Sequence, residues 1–328
     1  MGVVLAGIDE AGYGPLLGPL TVAMSVFHLA SWDPGQPAPN LWQLLASAIS
    51  RKPADKRQRI AVADSKQLKL PNDGATRHPL THLERGVLAF MHQHPSPPAT
   101  DAELFAALGA THTGRAWYAG DAVPLPVSDT SPAAGSRVPL DANVLRTAMA
   151  AAGVQLLALR CIVIDECAFN QIVTDTGTKG EATLHAIGRH LRHLRDDLAV
   201  QEIDDPVRIV CDRLGGRTTY GELLERELPG MSARVTEQTP RVSRYELGER
   251  WVAHFQPQAE SAHLPVALAS MTAKLVRELA MARFNRYWNA RMPELKPTAG
   301  YRGDAWRWLK DADSVLTPED RREMIRIA

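Results

Sequence analysis

The sequence predicts an α/β layer fold built on a mixed β-sheet. Short apolar runs with strand character alternate along the chain with windows in which apolar residues recur at helical spacing. The 328 residues are 45% hydrophobic and 23% charged, which is the balance of an ordinary globular protein and excludes disordered and fibrous classes. That length suits one large decorated domain or two small ones, and we expect a single domain over residues 1–328.

The chain begins with two predicted strands. Val3–Asp9 is a short apolar run, glycines and Pro15 form a turn, and Leu20–Leu29 is a second run. Together they predict a pair that resembles a β-hairpin. Helical spacing of apolar residues then predicts helices over Asn40–Ser50 and Leu80–Gln93.

The stretch from His94 to Pro139 is rich in Pro, Gly, Ser and Ala. A structureless loop of that length is unusual in a compact core, so we expect a surface insertion around residues 92–140 with a short helix near Asp101–Leu108. A hinge between two domains is the alternative.

The second half of the chain alternates strands and helices. Val154–Ile164, Val207–Asp212 and Ala233–Glu237 have strand character, whereas Glu181–Val200 and Leu264–Trp288 have helical periodicity. The apolar stripe that predicts the last of these helices runs through Leu268, Met271, Leu275, Leu279 and Phe284.

Two short helices complete a helical C-terminal extension of about residues 289–328. Asp304–Ala312 is the first, and Thr317–Ile327 is the second, in which Thr317 stands as N-cap ahead of Pro318.

Composition limits the setting in which the protein works. Cys161, Cys167 and Cys211 lack CxxC spacing and lie in or beside apolar runs, which predicts reduced thiols and a cytoplasmic location. The first residues carry no positive segment and are interrupted by two acids, so we expect no signal peptide and no membrane span. The formal net charge is zero, so any nucleic-acid surface must be local.

Acidic residues stand where strands end. Asp9 and Glu10 follow an apolar strand and precede a glycine-rich turn, and Asp212 ends VRIVCD. An isolated acid at such a place is usually a turn former or a helix cap. Adjacent acids beside apolar residues raise each other's pKa, which favours a functional role for the pair. Converging carboxylates would be hard oxygen ligands for Mg²⁺ or Mn²⁺.

A glycine-rich turn after a first strand is also typical of dinucleotide-binding folds. GIDEAGYG lacks the G-x-G-x-x-G spacing, however, and it places two carboxylates where a pyrophosphate would lie. We therefore exclude a dinucleotide site.

Five blocks of the sequence, in order, resemble the motifs of type 2 ribonucleases H, the ribonuclease HII and HIII group. They are GIDEAGYGPLLGPL from Gly7, ADSKQL from Ala63, LRCIVIDECAFN from Leu159, ALASMTAKLVREL from Ala267 and AGYRGDAWRWL from Ala299. The resemblance implies a ribonuclease H-like fold with a central mixed sheet of five strands flanked by helices and a C-terminal helical extension. It also implies metal-dependent hydrolysis of RNA in RNA/DNA hybrids.

The resemblance places the four catalytic and metal-binding carboxylates of the family on Asp9, Glu10, Asp212 and Glu278. Two divalent ions, Mg²⁺ or Mn²⁺, are the implied cofactors. Glu278 resembles the HIII branch, since the HII branch has Asp there. Asp212 is the least secure match, because the sequence that follows it departs from the family.

The resemblance also implies residues that bind the substrate. The turn reads Gly12-Tyr13-Gly14, where the HII branch has a basic residue between the glycines, so we expect a weaker preference for an isolated ribonucleotide. Ser65, Lys66 and Tyr301 match elements near the substrate. Lys66 is equally explained as a surface lysine, and Tyr301 as a core aromatic.

The helix Leu264–Trp288 carries a basic side that is consistent with a face tracking phosphates or with an ordinary solvated face. Its members are Lys274, Arg277, Arg283 and Arg286. Asp165 and Glu166 form a second acidic pair, which we expect to be structural.

The leading hypothesis is a metal-dependent endonuclease that cuts the RNA strand of RNA/DNA hybrids, with nucleic acid as its partner. One alternative is an altered or inactive relative that binds nucleic acid. Another is a nuclease of the same fold with a different nucleic-acid substrate.

Overall fold

The computed structural model describes residues 1–72, 77–111, 114–129 and 136–327. Its centre is a sheet of seven strands in the order β5-β2-β1-β6-β9-β8-β7. The strands are β1 (Val3–Ala11), β2 (Leu20–Leu29), β5 (Val154–Ile164), β6 (Val207–Asp212), β7 (Ala233–Gln238), β8 (Ser243–Leu247) and β9 (Trp251–Gln256), and a separate parallel pair is formed by β3 (Ile49–Ser50) and β4 (Ile60–Ala61).

The sheet is mixed, as expected, but it has seven strands where five were expected. β1 pairs antiparallel with β2 and parallel with β6, and β6 pairs parallel with β9. Five neighbouring strands of this sheet, in the order β5-β2-β1-β6-β9, form a five-stranded core. The two additional strands are β8, which pairs antiparallel with β9, and β7, which pairs antiparallel with β8.

Twelve α-helices flank the sheet within the described residues. They are α1 (Leu41–Leu44), α2 (Ser65–Leu68), α3 (Thr81–Met91), α4 (Asp101–Leu108), α5 (Val138–Ala151), α6 (Glu166–Thr176), α7 (Gly180–Val200), α8 (Gly221–Glu227), α9 (Ala259–Ala262), α10 (Leu264–Asn289), α11 (Arg302–Asp311) and α12 (Pro318–Met324). The elements that were not anticipated from the sequence are helices α2, α5, α6, α8 and α9 and strands β3, β4, β8 and β9.

Side-chain alternation along β1 separates two cores. Val3 and Leu5 face the core that contains α3 and α10, whereas Val4, Ala6 and Ile8 face the core that contains α7 and α8. Helices therefore cover both faces of the sheet, which confirms the predicted layered arrangement.

Helix α10 is the central helix of the structure. The predicted stripe from Leu268 to Phe284 is entirely buried. Its first turn crosses β1 at Gly7, where an added Cβ would lie 2.2 Å from the backbone nitrogen of Val266. Glycine is required there because the helix and the strand approach too closely for a side chain.

The predicted helix Asn40–Ser50 is wrong beyond its first turn. Asn40 caps α1 by accepting a hydrogen bond from the Trp42 backbone nitrogen at 3.0 Å, but the helix ends at Leu44. Ile49 and Ser50 instead pair with Ile60 and Ala61, so a strand pairing replaces the helix.

The segment predicted as an insertion lies against α10 where the structure describes it. Asp101 receives two hydrogen bonds from the buried Arg283 guanidinium, at 2.7 and 2.8 Å, and Trp117 contacts Phe284 and Trp288. Residues 112–113 and 130–135 of this segment lie outside the described residues. A single domain over 1–328, with an insertion at 92–140 and an extension at 289–328, stays a prediction.

Thr317 caps the last helix as expected, with a reciprocal capping box to Asp320. The sulfur atoms of Cys161 and Cys211 are buried, Cys167 is partly buried, and all three cysteines are free. Among the helices that the structure describes, none is long and apolar enough to span a bilayer.

Candidate functional site

Two acids lie side by side at the ends of parallel strands. Ile8 is the register partner of Cys211, so Asp9 and Asp212 are the next residues of β1 and β6. Alternation along β1 directs Asp9 to the same side as Leu5, toward α10, where it accepts a hydrogen bond from the Ser270 side chain. The Glu10 backbone nitrogen donates a second hydrogen bond to Asp9 Oδ1 at 2.8 Å.

Burial and mutual repulsion favour the protonated forms of these acids. The pKa of Asp9 is raised well above its usual value, by desolvation first and then by the charges of Glu10 and Asp212. Desolvation and the charge of Asp212 raise the pKa of Glu10 to about 7, although Lys66 opposes this rise. Desolvation also raises the pKa of Asp212, whose Oδ1 accepts a hydrogen bond from the Ala259 backbone nitrogen at 3.2 Å.

Glu260 is a fourth carboxylate of this group, and the sequence analysis missed it. It lies in α9, between β9 and α10, and its charge raises the pKa of Glu10. Desolvation and the charge of Asp212 raise the pKa of Glu260 in turn. The signal in the sequence was an acid shortly before the long helix, in PQAESAHLP, but β9 before it had not been recognised.

Glu278, the fourth carboxylate that the resemblance implies, is ion-paired on α10 with Lys274, whose Nζ lies 2.7 Å from Glu278 Oε1. Lys274 also lines the cavity beside Glu10, whereas Glu278 lines a second cavity of about 660 Å³ together with Leu80, Asn285 and Asp304. The role of Glu278 as the fourth carboxylate stays a prediction.

A cavity of about 210 Å³ opens beside Glu10 and gathers the predicted substrate-binding residues. The residues that line it include Glu10, Gly12, Tyr13, Gly14, Ser65, Lys66, Lys274 and Tyr301. Residues from four separated parts of the sequence thus meet at one place. The structure brings together every predicted substrate-binding residue here.

The glycine turn lines this cavity, and backbone amides of the turn are free among the described residues. Gly12 has φ +87°, in the left-handed region, and an added Cβ would lie 2.5 Å from Arg277 Nε. Within the described parts of the chain, the amides of Gly12, Tyr13 and Gly14 have no hydrogen-bond acceptor. Successive free amides of this kind bind anions or polar oxygens.

Two aromatic rings flank the cavity and are accessible. Tyr13 is 41% exposed and Tyr301 is 48% exposed. The exposure of Tyr301 contradicts the alternative that it is a core aromatic. The Arg277 guanidinium lies 5.6 Å from the centre of the Tyr301 ring and supports it from inside.

Ser65 is buried, and its Oγ shares a hydrogen bond with Ser270 Oγ at 3.0 Å, so α2 is joined to the same serine that contacts Asp9. Asp64 caps α2 by accepting from the Lys66 backbone nitrogen at 2.9 Å. This cap fixes the first turn of α2, from which the Lys66 side chain reaches the cavity.

The basic side of α10 is buried at two of its arginines. Arg277 is 0% exposed and Arg283 is 7% exposed, whereas Arg286 is exposed. Arg277 donates to the carbonyl oxygens of Leu17 and Ala299, Arg283 pairs with Asp101, and Arg286 donates to the carbonyl oxygen of Asp121. The predicted phosphate-tracking face is therefore wrong for Arg277 and Arg283, because their buried guanidinium groups hold neighbouring segments.

The second acidic pair is structural, as expected. Asp165 caps α6 by accepting from the Ala168 backbone nitrogen at 2.7 Å. The buried Glu166 Oε1 accepts hydrogen bonds from Tyr118 Oη at 2.6 Å and from the Gly18 backbone nitrogen at 3.1 Å.

The carboxylate group fits a divalent cation by the chemistry of its donors. Asp9, Glu10, Asp212 and Glu260 offer only hard oxygen ligands, and a cation would offset the repulsion that raises their pKa values. As placed in residues 1–72, 77–111, 114–129 and 136–327, no three His, Cys, Asp or Glu side chains are close enough to hold a metal ion. Binding of an ion would require these side chains to draw together.

Comparisons with known proteins find similar solved structures but no similar sequence. No family model matches the chain. No curated protein matches it by sequence either. The similar solved structures include ribonucleases HII, H2, HIII and H3.

A ribonuclease HII from Archaeoglobus fulgidus, solved in complex with PCNA, is 13% identical, with 99% of this chain and 94% of that chain covered and a TM-score of 0.45. Ribonuclease H2 from Pyrococcus horikoshii OT3 is 12% identical, with 97% and 93% covered and a TM-score of 0.41. Bst-RNase HIII in complex with Mn²⁺ is 16% identical, with 99% and 66% covered and a TM-score of 0.47. At these identities and scores the likeness carries no argument about activity.

Proposed function

We propose that the protein is a metal-dependent endonuclease that hydrolyses the RNA strand of RNA/DNA hybrids and leaves a 3′-hydroxyl and a 5′-phosphate. One observation carries the proposal: buried and half-buried carboxylates at the ends of β1 and β6 adjoin a cavity lined by the glycine turn, two lysines and two exposed tyrosines. The five sequence motifs support it independently. The three free cysteines support a cytoplasmic setting.

Asp9, Glu10, Asp212 and Glu260 are the proposed metal ligands, and Glu278 is the alternative to Glu260 in this role. Two bound Mg²⁺ or Mn²⁺ ions would supply activation of the attacking water and stabilisation of the leaving oxygen. Ser270 orients Asp9 through its hydrogen bond, and the Ala259 amide orients Asp212.

The other residues of the cavity bind the substrate. Lys66 and Lys274 attract phosphates of the cleaved strand. The free amides of the glycine turn are suited to a 2′-hydroxyl or a phosphate oxygen, and the 2′-hydroxyl is the group that distinguishes RNA from DNA. Tyr13 and Tyr301 offer exposed rings against sugars or bases.

A second candidate function is binding of nucleic acid without cleavage. It is favoured by the separation of the carboxylates, since no three of them are gathered as a metal site in the described part of the chain. This candidate predicts hybrid binding that does not depend on a divalent ion.

The test is cleavage of labelled RNA/DNA hybrid, DNA duplex with one ribonucleotide, double-stranded RNA and double-stranded DNA, each with Mg²⁺, Mn²⁺ or chelator. We expect hybrid cleavage that requires a divalent ion and is lost in Asp9→Asn, with hybrid binding kept. Loss of at least about 10³-fold in kcat is the size expected for a group that acts as a unit. The matched control is Asp175→Asn on the exposed surface of α6.

Binding without cleavage under every ion would favour the second candidate. Cleavage of double-stranded RNA or DNA in preference to hybrid would refute the proposed substrate. Normal turnover in Asp9→Asn would refute the assignment of the carboxylates.

A further inference from the structure

Arg326 holds the glycine turn from inside the protein. Its Nη1 donates to the carbonyl oxygen of Gly12 at 2.5 Å and its Nη2 to that of Tyr13 at 2.9 Å. Its backbone nitrogen donates to the carbonyl oxygen of Leu16 at 2.9 Å. Its Nη1 also lies 3.5 Å from the carbonyl oxygen of Gly18, so this one residue binds four carbonyl groups of a turn that lies more than 300 residues earlier.

The segment that carries Arg326 is itself fixed. Asn170 of α6 donates from Nδ2 to the Ile325 carbonyl oxygen at 2.8 Å and accepts from the Ile327 backbone nitrogen at 2.8 Å. The Arg326 guanidinium carbon lies 3.7 Å from the centre of the Phe169 ring, and the residue is only 2% exposed. The guanidinium therefore has little freedom to move away from the turn.

A second buried arginine holds the other end of the turn. Arg277 Nη2 donates to the Leu17 carbonyl oxygen at 3.2 Å, while Glu166 accepts from the Gly18 backbone nitrogen at 3.1 Å. The carbonyl groups of the turn are consequently bound on the inner side by two guanidinium groups. The amides of Gly12, Tyr13 and Gly14 are the backbone groups left without an acceptor among the described residues.

We propose that Arg326 is a positioning residue for the glycine turn: by binding the Gly12 and Tyr13 carbonyl oxygens it keeps the free amides of Gly12, Tyr13 and Gly14 available to the cavity, where they bind the sugar-phosphate backbone of the nucleic acid. This inference rests on the proposed function, which it deepens. Arg326 does not touch the substrate. Its positive charge, with that of Arg277, also lies behind the turn and favours an anionic ligand in front of it.

The test compares Arg326→Gln and Arg326→Lys with Arg322→Gln, an exposed arginine on α12 that serves as control. We expect Arg326→Gln to raise the KM for RNA/DNA hybrid at least about tenfold. The Kd for hybrid, measured in chelator, should rise by the same factor, because the substitution removes charge-assisted hydrogen bonds that order a binding loop. The kcat should stay within about threefold, because the carboxylates are not in contact with Arg326. Arg326→Lys keeps the positive charge but cannot donate to two carbonyl oxygens in the geometry of a guanidinium, so the hybrid affinity of this variant should lie between those of Arg326→Gln and the parent.

Two further measurements separate positioning from general damage. Mn²⁺ affinity, measured by calorimetry without nucleic acid, should be unchanged in both Arg326 variants. Hydrogen exchange should accelerate at the bonded amides of Leu16, Leu17 and Gly18 but not in β6. Equal KM and Kd in parent and Arg326→Gln, or an equal loss in Arg322→Gln, would overturn the proposal.

The exchange measurement needs no activity, so it tests the role of Arg326 even if the parent protein neither cleaves nor binds hybrid. Absence of both cleavage and binding would refute the proposed function and leave the role of Arg326 in holding the turn to the exchange measurement. If neither variant folds, native-state exchange of the parent decides. The amides of Arg326 and Ile327 should then open together with those of Leu16 to Gly18, with the same free energy. Opening of the C-terminal amides while the turn stays protected would overturn the proposal.

Discussion

Glu10 should make the metal-free protein lose stability as the pH rises. Burial and the charge of Asp212 raise its pKa from the usual value near 4.5 to about 7. The folded protein therefore holds this proton to a higher pH than the unfolded chain does. The resulting stability is complete below pH 4.5 and is lost as the pH rises toward 7.

The size of the effect follows from the pKa difference. A rise in pKa from 4.5 to about 7 corresponds to about 3 kcal/mol in the free energy of unfolding, and most of it falls between pH 5 and pH 8. With an unfolding entropy of roughly 2.1 cal/mol/K per residue, 328 residues convert this to a Tm difference of about 4 °C.

The assay is thermal unfolding in chelator at pH 5 and pH 8 for the parent, Glu10→Gln and the exposed control Glu249→Gln. We expect the fall in Tm from pH 5 to pH 8 to be about 4 °C smaller in Glu10→Gln than in the other two proteins. Mn²⁺ at pH 8 should restore the stability of the parent, because a bound cation offsets the buried negative charge. An identical pH dependence in the parent and Glu10→Gln would refute the reasoning.

Three further predictions concern other residues. Glu260→Gln should lower kcat by at least about 10²-fold while Glu278→Gln stays within about threefold, and the reverse order in a steady-state cleavage assay would restore Glu278 as the fourth ligand. Tyr13→Arg should improve kcat/KM on a duplex with one ribonucleotide more than on a duplex with several, and no change on either would show that position 13 does not set this preference. Arg283→Met should lower the free energy of unfolding by roughly 3 kcal/mol, since it leaves the buried Asp101 carboxylate unpaired; an unchanged denaturant midpoint would show that the ion pair contributes nothing.

The strongest periodic segments of the sequence were predicted well. β1, β2, β5 and β6 are continuous apolar runs because helices cover them on both faces, and α10 has an uninterrupted apolar stripe. β8 and β9 are short strands, SRYEL and WVAHFQ, which contain several polar residues, and they were missed. β8 pairs with its sequence neighbours β7 and β9, but β9 joins the central sheet by pairing with β6, about 40 residues earlier, and the local pattern of a short strand does not show such a pairing.

The residues of the candidate site that could be predicted are those that belong to a distinctive sequence motif. Asp9 and Glu10 form a pair beside an apolar strand, and that pair is unusual enough to recognise. Glu260 stands in a short segment between elements that depend on tertiary contacts, so its neighbours could not be inferred from spacing. Glu278 lies in a matching motif, and in the structure it is paired with Lys274.

The neighbouring positions of Asp9 and Asp212 have a consequence for how the candidate site assembles during folding. β1 and β2 are close in sequence and can pair early, but β6 joins β1 across roughly 200 residues of intervening chain. Arg326 can contact Gly12 only after 314 further residues have been synthesised. A ribosome-bound or truncated chain can therefore contain the whole GIDEAGYG motif and still lack the assembled site, which forms as a late event of folding.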